Sequence, residues 1–337
     1  MGSSPRSRGA RIRRGGRTGP ARPDRRSPRG AHLNAHHEDS PPPSLQSPES
    51  HELTAGDGGP LRLDYFAPAA GAAPECGVVL CHGFRGYKAW GFLPFLATRL
   101  AEEGIPAATF DFASSGVTDR DGTFGEPERF RRGTYAGDLA DLARVSDWME
   151  TRLGGGRGAR LGVAGHSRGG IIGVLHAARD RRVRAVATLG SPSRIGVWPE
   201  AYWEAWRRGA SADVYDFRTK RTLELGPDLF RDWEANGSRY DSAAAVATLS
   251  APLLVLHGTR DSLVPLGEAE ALASFGRSTA VELRVIEGAG HSFQAGDKLR
   301  RTPPPLLDAV ESVVAWMRRW LQPNEIGDYF FSAGGGV

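Results

Sequence analysis

A serine stands in the middle of Gly165–Gly169, whose sequence is Gly-His-Ser-Arg-Gly. The apolar run Leu161–Ala164 before it predicts a buried strand, and the residues from Gly169 to Arg179 predict a helix. A strand that turns at once into a helix forces its corner residue into a strained backbone and pushes that side chain out above the sheet. The flanking glycines leave room for the strand and the helix to pack closely. We therefore predict that Ser167 is a nucleophile.

A serine hydroxyl needs a base to take its proton at neutral pH, and the sequence favours His291 for this role. His291 follows the last predicted core strand, in a loop of small residues that could bring the imidazole over the carboxyl edge of the sheet. Asp261 follows the preceding predicted strand, and it would fix the tautomer of the imidazole and stabilise the imidazolium. The alternatives are a surface-loop role for His291 and a turn or helix N-cap role for Asp261.

The other histidines fit the role of the base less well. His82 and His257 each end a predicted strand and precede a glycine, so we expect them to shape turns. His166 is next to the serine, but at a tight turn we expect its side chain to point elsewhere.

The oxyanion formed in such a reaction needs two backbone N–H donors. The residue after the nucleophile, Arg168, is expected to supply one. The other is expected from the loop His82–Gly86, with Phe84 as the donor, because the glycines of that loop permit close backbone approach. We expect the Arg168 side chain itself to be solvated at the start of its helix, although it could meet an anionic group.

Short apolar runs alternate with longer amphipathic stretches from about residue 57 to residue 322. This alternation predicts an α/β fold, in which a doubly wound, mostly parallel sheet is covered by helices on both faces. The predicted strands are Leu61–Phe66, Gly77–Cys81, Ala107–Phe112, Leu161–Ala164, Val183–Leu189, Leu253–Leu256 and Val281–Ile286. The predicted helices include Phe92–Glu103, Thr134–Leu153, Leu266–Phe275 and Leu306–Leu321.

The segment 193–247 breaks this alternation, since it contains no continuous apolar strand. An insertion this long between two core strands is usually functional, and we predict a helical cap over the site. Most of its aromatic side chains should pack in the cap's own core, while a few should face the cleft. These aromatic residues are Trp198, Tyr202, Trp203, Trp206, Tyr215, Phe217, Phe230, Trp233 and Tyr240.

The basic charge of the chain is concentrated at its N-terminus. Of 43 Lys and Arg in the 337 residues, ten are arginines within residues 1–50, where only four acids occur. Residues 1–56 are therefore predicted to be a disordered arm rich in Arg, Pro, Gly and Ser. Because no aromatic side chain is present to stack on bases, a solvated extension is favoured over a nucleic-acid-binding tail. The role of the tail 323–337 stays open.

Two cysteines, Cys76 and Cys81, flank one predicted strand and form no disulfide framework. A reducing cytoplasm is the simplest location. No apolar stretch approaches the roughly 18 residues of a membrane span, so no membrane partner is expected, and the oligomeric state, including a homodimer, is open.

Five motifs together resemble α/β hydrolases of the serine-aminopeptidase-like branch, and within it the chain is similar to bacterial feruloyl and cinnamoyl esterases. The motifs are His82-Gly-Phe84, Asp111–Gly116 with Thr118-Asp119, Gly165–Gly169, His257–Asp261 and Gly290–Phe293. The resemblance covers residues 60–322 and follows the family's chain order of Ser, Asp and His. It implies triad roles for Ser167, Asp261 and His291 and oxyanion roles for Phe84 and Arg168. Those esterases often carry Gln at the position of Arg168.

The expected function is hydrolysis of small-molecule carboxylic esters through an acyl-enzyme, without a metal or an organic cofactor. One alternative is a serine aminopeptidase or amidase, which would need an acidic anchor in the cap such as Glu200, Glu204 or Glu234. The other is a non-catalytic binding protein on the same fold.

Overall fold

The computed structural model of the chain describes residues 45–69, 74–154, 158–276 and 280–322. Its main sheet has eight strands, and a separate two-stranded sheet lies in the insertion. The main strands are β1 (Glu49–Thr54), β2 (Pro60–Phe66), β3 (Cys76–Cys81), β4 (Ala107–Phe110), β5 (Arg160–His166), β6 (Val183–Leu189), β9 (Leu253–Gly258) and β10 (Val281–Ile286); the insertion carries β7 (Ala212–Asp216) and β8 (Arg221–Leu225).

The strand order of the main sheet is β1-β2-β4-β3-β5-β6-β9-β10. β1 and β4 both pair with β2 in the antiparallel sense, and all other neighbours run parallel. Because β3, β5, β6, β9 and β10 run parallel, their carboxyl ends meet at one edge of the sheet. The predicted α/β fold with a doubly wound, mostly parallel sheet is confirmed.

Some of the helices cover the two faces of this sheet, and others belong to or pack against the insertion between β6 and β9. The helices are α1 (Leu93–Glu102), α2 (Pro127–Arg131), α3 (Tyr135–Thr151), α4 (Arg168–Ala177), α5 (Glu200–Arg207), α6 (Asp228–Asn236), α7 (Ser242–Thr248), α8 (Leu266–Ser274) and α9 (Pro304–Leu321). None of the helices in the described ranges is both long and apolar enough to span a bilayer.

The central strand β3 shows how the two faces are filled. Val78 and Leu80 pack with α1 and α9 on one face, whereas Val79 and Cys81 pack with α3 and α4 on the other. Successive strand side chains point to opposite faces, so a strand buried on both sides must be apolar throughout. This explains why the continuous apolar runs marked these strands so well.

The predicted arm, residues 1–56, extends too far into the domain. Residues 1–44 lie outside the described residues, as does the tail 323–337, but β1 (Glu49–Thr54) is an edge strand that pairs with β2. None of the β1 residues is fully buried. The strand therefore carries no apolar pattern and is held mainly by its backbone hydrogen bonds to β2.

The predicted cap contains helices, but it also contains a β-hairpin that the sequence pattern did not predict. Between β6 and β9 the chain forms α5, the antiparallel pair β7–β8, α6 and α7. Ala212, Val214 and Asp216 are buried, while Asp213 and Tyr215 between them are exposed. Such half-buried strands alternate rather than forming a continuous apolar run, which is why the hairpin was missed.

Candidate active site

The turn between β5 and α4 holds Ser167 in a strained conformation. Its backbone has φ 53° and ψ −123°, a region that residues with a Cβ rarely adopt. Close packing enforces the turn, since a Cβ added to Gly165 would lie 2.4 Å from the carbonyl carbon and oxygen of Gly169. The N–H of Ser167 also donates to the carbonyl oxygen of Leu189 at 2.8 Å. The predicted strand–turn–helix geometry around Ser167 is present.

Asp261 and His291 form the hydrogen bond that a base and its orienting acid require. His291 Nδ1 lies 2.8 Å from Asp261 Oδ2, and a carboxylate can only accept, so Nδ1 carries the proton and Nε2 is left as the basic nitrogen. Asp261 Oδ1 accepts the N–H groups of Leu263 and Val264 at 2.9 and 2.8 Å. Burial alone would raise the pKa of Asp261, but the hydrogen bonds from His291 and these N–H groups lower it below its usual value.

His166 holds the backbone of His291 by a hydrogen bond, a contact that the sequence did not predict. Its Nε2 lies 2.9 Å from the carbonyl oxygen of His291 and donates to it, and the two rings are 4.7 Å apart. The other face of His166 stacks on Trp90 at 4.9 Å. Burial, with the nearby His291 adding to it, lowers the pKa of His166 to about 3. The expectation that this side chain points away from the site is wrong, because the ring lines the cavity and holds the loop that carries His291.

His82 holds the loop predicted to supply an oxyanion donor. Its Nδ1 donates to the carbonyl oxygen of Gly83 at 2.8 Å, and its Nε2 accepts the N–H of Phe112 at 3.1 Å. Burial lowers the pKa of His82 to about 4, so the ring is neutral at pH 7. A Cβ on Gly83 would lie 3.1 Å from Ser167 Cβ, so glycine allows this loop to run directly beside Ser167. The turn-shaping role predicted for His82 fits this geometry.

The two predicted donors, Phe84 and Arg168, flank the cavity beside Ser167. Arg168 is the first residue of α4, and N–H groups of a first helical turn have no acceptor within the helix. Among the backbone groups that the structure describes, none accepts the N–H of Phe84. Both N–H groups are therefore available to an oxyanion at Ser167.

The Arg168 side chain is not solvated, contrary to the expectation. Its Nη2 forms an ion pair with Asp138 of α3, and its guanidinium lies 5.7 Å from the ring centre of Phe84 and 5.0 Å from that of Tyr135. Asp138 also accepts the hydroxyl of Ser114 at 2.6 Å. Burial raises the pKa of Asp138, against the opposing effects of Arg168 and Ser114. The side chain of one predicted donor residue is thus packed against that of the other.

A cavity of about 550 Å³ opens above Ser167 and His291, within the range of roughly 300–1,000 Å³ that is typical of small-molecule sites. Its inner wall is apolar and includes Ile171, Ile195 and Trp198. Trp198 is fixed there because its Nε1 donates to the hydroxyl of Tyr135 at 2.7 Å. Of the nine cap aromatics, Trp198 and Phe217 line this cavity, and most of the others pack against one another, as predicted.

The glutamates considered as anchors for a substrate amine lie elsewhere. Neither Glu200, Glu204 nor Glu234 lines the cavity at Ser167, and Glu200 pairs with Arg207 on the surface. Among the described residues, no three His, Cys, Asp or Glu side chains are grouped so that they could hold a metal ion.

Comparisons with known proteins agree with this fold. The model of the alpha/beta hydrolase family matches residues 78–302. Esterase LipC of Mycobacterium tuberculosis is 30% identical in an alignment of length 182 that covers 49% of this chain and 43% of LipC. The chain therefore spans less than half of that relative.

Solved structures share the fold at lower identity. The structure of Est1E from Butyrivibrio proteoclasticus with ferulic acid bound has a TM-score of 0.59 at 20% identity, covering 81% of this chain and 100% of Est1E. A puromycin-hydrolysing peptidase of Mycobacterium tuberculosis has a TM-score of 0.57 at 19% identity, covering 83% of this chain and 40% of the peptidase. Identities this low establish a common fold only.

Proposed function

Since this chain belongs to the alpha/beta hydrolase family, we propose that it is a serine hydrolase that cleaves carboxylic esters through an acyl-enzyme on Ser167. One observation carries the proposal: His291 donates to the buried Asp261 at 2.8 Å and lines the same cavity as Ser167, which stands at a strained strand–helix corner. The similarity to a protein named Esterase LipC supports an ester as the substrate.

The proposed reaction has two acyl-transfer steps. His291 Nε2 takes the proton of Ser167 Oγ as this oxygen attacks the ester carbonyl carbon, and the N–H groups of Phe84 and Arg168 stabilise the oxyanion. When the intermediate collapses, the bond to the leaving oxygen breaks and His291 returns its proton to the departing alcohol. Water, deprotonated by the same histidine, then attacks the acyl carbon. The bond from this carbon to Ser167 Oγ breaks, His291 returns the proton to Oγ, and the acid is released.

The direct test compares ester hydrolysis by the wild type and by Ser167→Ala, with p-nitrophenyl acetate and butyrate as substrates. We expect kcat to fall at least about 10⁴-fold in the variant, since removal of a catalytic-triad serine abolishes the covalent route. Ser274→Ala is the matched control, because the Ser274 hydroxyl is exposed on α8 and donates to the carbonyl oxygen of Ala271. Wild-type-like turnover by Ser167→Ala would refute the proposal.

The same assay with aminoacyl p-nitroanilides tests the peptidase alternative. The positions of Glu200, Glu204 and Glu234 outside the cavity favour the esterase, because a free substrate amine would find none of these carboxylates near Ser167. Turnover confined to the anilides would instead favour an aminopeptidase. Binding of an ester without any turnover would favour a non-catalytic binding protein.

A further inference from the structure

The mouth of the Ser167 cavity carries an unusual set of exposed apolar side chains. Seven large hydrophobic residues are exposed within the described ranges, and the three most exposed all line this cavity. These are Val197, Phe217 and Leu263, which are 62%, 79% and 72% exposed, whereas the other four are 41–47% exposed. Single exposed apolar residues are common on protein surfaces, but several around one opening mark a binding surface.

Three separate segments bring these side chains together. Val197 lies in the loop before α5, Phe217 in the turn between β7 and β8, and Leu263 in the loop after β9. The Phe217 ring packs edge-on against Tyr215 at 4.9 Å. The N–H of Leu263 donates to Asp261, which fixes Leu263 next to this proposed catalytic residue. We call Val197, Phe217 and Leu263 the apolar rim.

The rim continues the apolar wall of the cavity. Ile171, Ile195 and Trp198 line the interior beside Ser167, and Val197, Phe217 and Leu263 extend the apolar lining outwards. An apolar chain that begins at the scissile ester would thus meet apolar side chains both in the cavity and at its mouth.

Two of the arginines that line the cavity, Arg85 and Arg218, are held by the cap hairpin. Arg85 donates to the carbonyl oxygen of Tyr215 at 2.6 Å, and both Arg85 and Arg218 lie within 4.0 Å of the buried carboxylate of Asp216. Arg194 and Asp297 also line the cavity and are exposed, so charged groups stand beside the apolar side chains at the mouth.

We propose that Val197, Phe217 and Leu263 bind the part of the substrate that extends out of the cavity, and that the preferred substrates are esters with a long alkyl chain. This inference rests on the esterase function proposed above and specifies its substrate class. A second copy of the chain is the competing occupant. Three side chains alone fall short of the roughly 800 Å² per partner that a stable interface buries.

The test measures kcat/KM of wild type, Val197→Ser and Phe217→Ser on p-nitrophenyl esters with acyl chains of 2–12 carbons, kept below their micellar concentrations. An acetate series with alcohols of increasing length shows whether the acyl or the alcohol chain occupies the rim. We expect wild-type kcat/KM to rise with chain length in one series. Each variant should lower the ratio of the 12-carbon to the 2-carbon value about tenfold, equivalent to about 1.4 kcal/mol.

Leu307→Ser is the matched control, because Leu307 is also exposed, at 41%, but lies on α9 and does not line the cavity. Its chain-length profile should match that of the wild type. Sedimentation of all variants measures their oligomeric state and so tests whether a second copy of the chain occupies the rim.

Several results would overturn the inference. The first is a wild-type preference for short chains in both series. The second is a loss of kcat/KM in the Val197 and Phe217 variants that is equal at every chain length. The third is a change from dimer to monomer in these variants while the dependence of kcat/KM on chain length stays unchanged. In each of these cases, Ser167-dependent turnover of p-nitrophenyl acetate would leave the esterase proposal intact. Absence of Ser167-dependent turnover of any ester would instead refute both proposals.

Discussion

The buried pair of Arg168 and Asp138 links the two residues that carry the proposed oxyanion donors. Asp138 holds the Arg168 guanidinium, which packs against the ring of Phe84. Asp138→Asn keeps the shape of the side chain but removes the charge that compensates the guanidinium. Small displacements of catalytic groups lower the rate by as much as about 10²-fold, and loss of one oxyanion donor lowers kcat by about 10²-fold or more. We therefore predict that Asp138→Asn has a roughly 10- to 100-fold lower kcat with little change in KM.

The expected loss of stability follows from the burial of the pair. Removing one partner of a buried ion pair costs about 3–5 kcal/mol, mostly because the other charge stays uncompensated. The amide oxygen introduced by Asp138→Asn would still accept the hydroxyl of Ser114, and the Arg168 side chain is 15% exposed. We therefore expect the free energy of unfolding to fall by about 2–3 kcal/mol, which leaves a folded enzyme to assay.

The assay is a double-mutant cycle with Arg168→Gln, which removes the cation but keeps the backbone N–H at position 168. The double variant lacks the uncompensated charge, so its kcat for p-nitrophenyl acetate should exceed that of Asp138→Asn at least about fivefold. Asp308→Asn is the matched control, because Asp308 pairs with Arg284 at the surface and its loss should leave kcat unchanged. A wild-type kcat for Asp138→Asn, or strictly multiplicative effects of the two changes, would refute the coupling.

Two further predictions concern the residues around the base. Asp261→Asn should lower kcat about 10⁴-fold, because an amide in place of the carboxylate no longer enforces the tautomer of His291; a loss below tenfold in steady-state assays would contradict this role. His166 is buried and neutral, with a pKa of about 3 against 6.5 in the unfolded chain, so its contribution to stability is complete above pH 6.5 and is lost as the pH falls towards 3. Between pH 7.5 and 5.0 this linkage lowers the free energy of unfolding by about 2 kcal/mol. Burial raises the pKa of Asp111 to about 6 and of Asp141 to about 7, which acts in the opposite direction, but both groups remain in His166→Gln. In urea denaturation, the decrease in the free energy of unfolding from pH 7.5 to pH 5.0 should therefore be about 2 kcal/mol larger for the wild type than for His166→Gln. Equal decreases would refute the claim that His166 is buried as a neutral ring.

The residues proposed to react could be predicted because their positions follow from topology. Ser167, Asp261 and His291 each follow a parallel strand of the main sheet, and the carboxyl ends of such strands share one edge of the sheet. Continuous apolar runs identified the strands before Ser167 and Asp261, and the alternating sequence Val281–Ile286 identified the strand before His291. The order of the chain was therefore enough to place the three side chains at one edge.

The supporting contacts could not be predicted, because they depend on how helices and loops pack. Asp138 lies within α3, and nothing in its local sequence indicates that it meets Arg168 at the start of α4. The role of His166 depends on the path of the His291 loop. The β7–β8 hairpin was missed because its alternating pattern did not resemble the core strands, although alternation at Ala212–Asp216 was the available signal.

The central claim is that Ser167 is acylated during turnover, and mass spectrometry of the acid-quenched enzyme tests it most directly. Wild-type protein quenched during turnover of p-nitrophenyl butyrate, or treated with a fluorophosphonate, should carry one adduct on the peptide that contains Ser167. The adduct should be absent from Ser167→Ala. Ester turnover accompanied by an adduct on another residue, or retained in Ser167→Ala, would contradict the account.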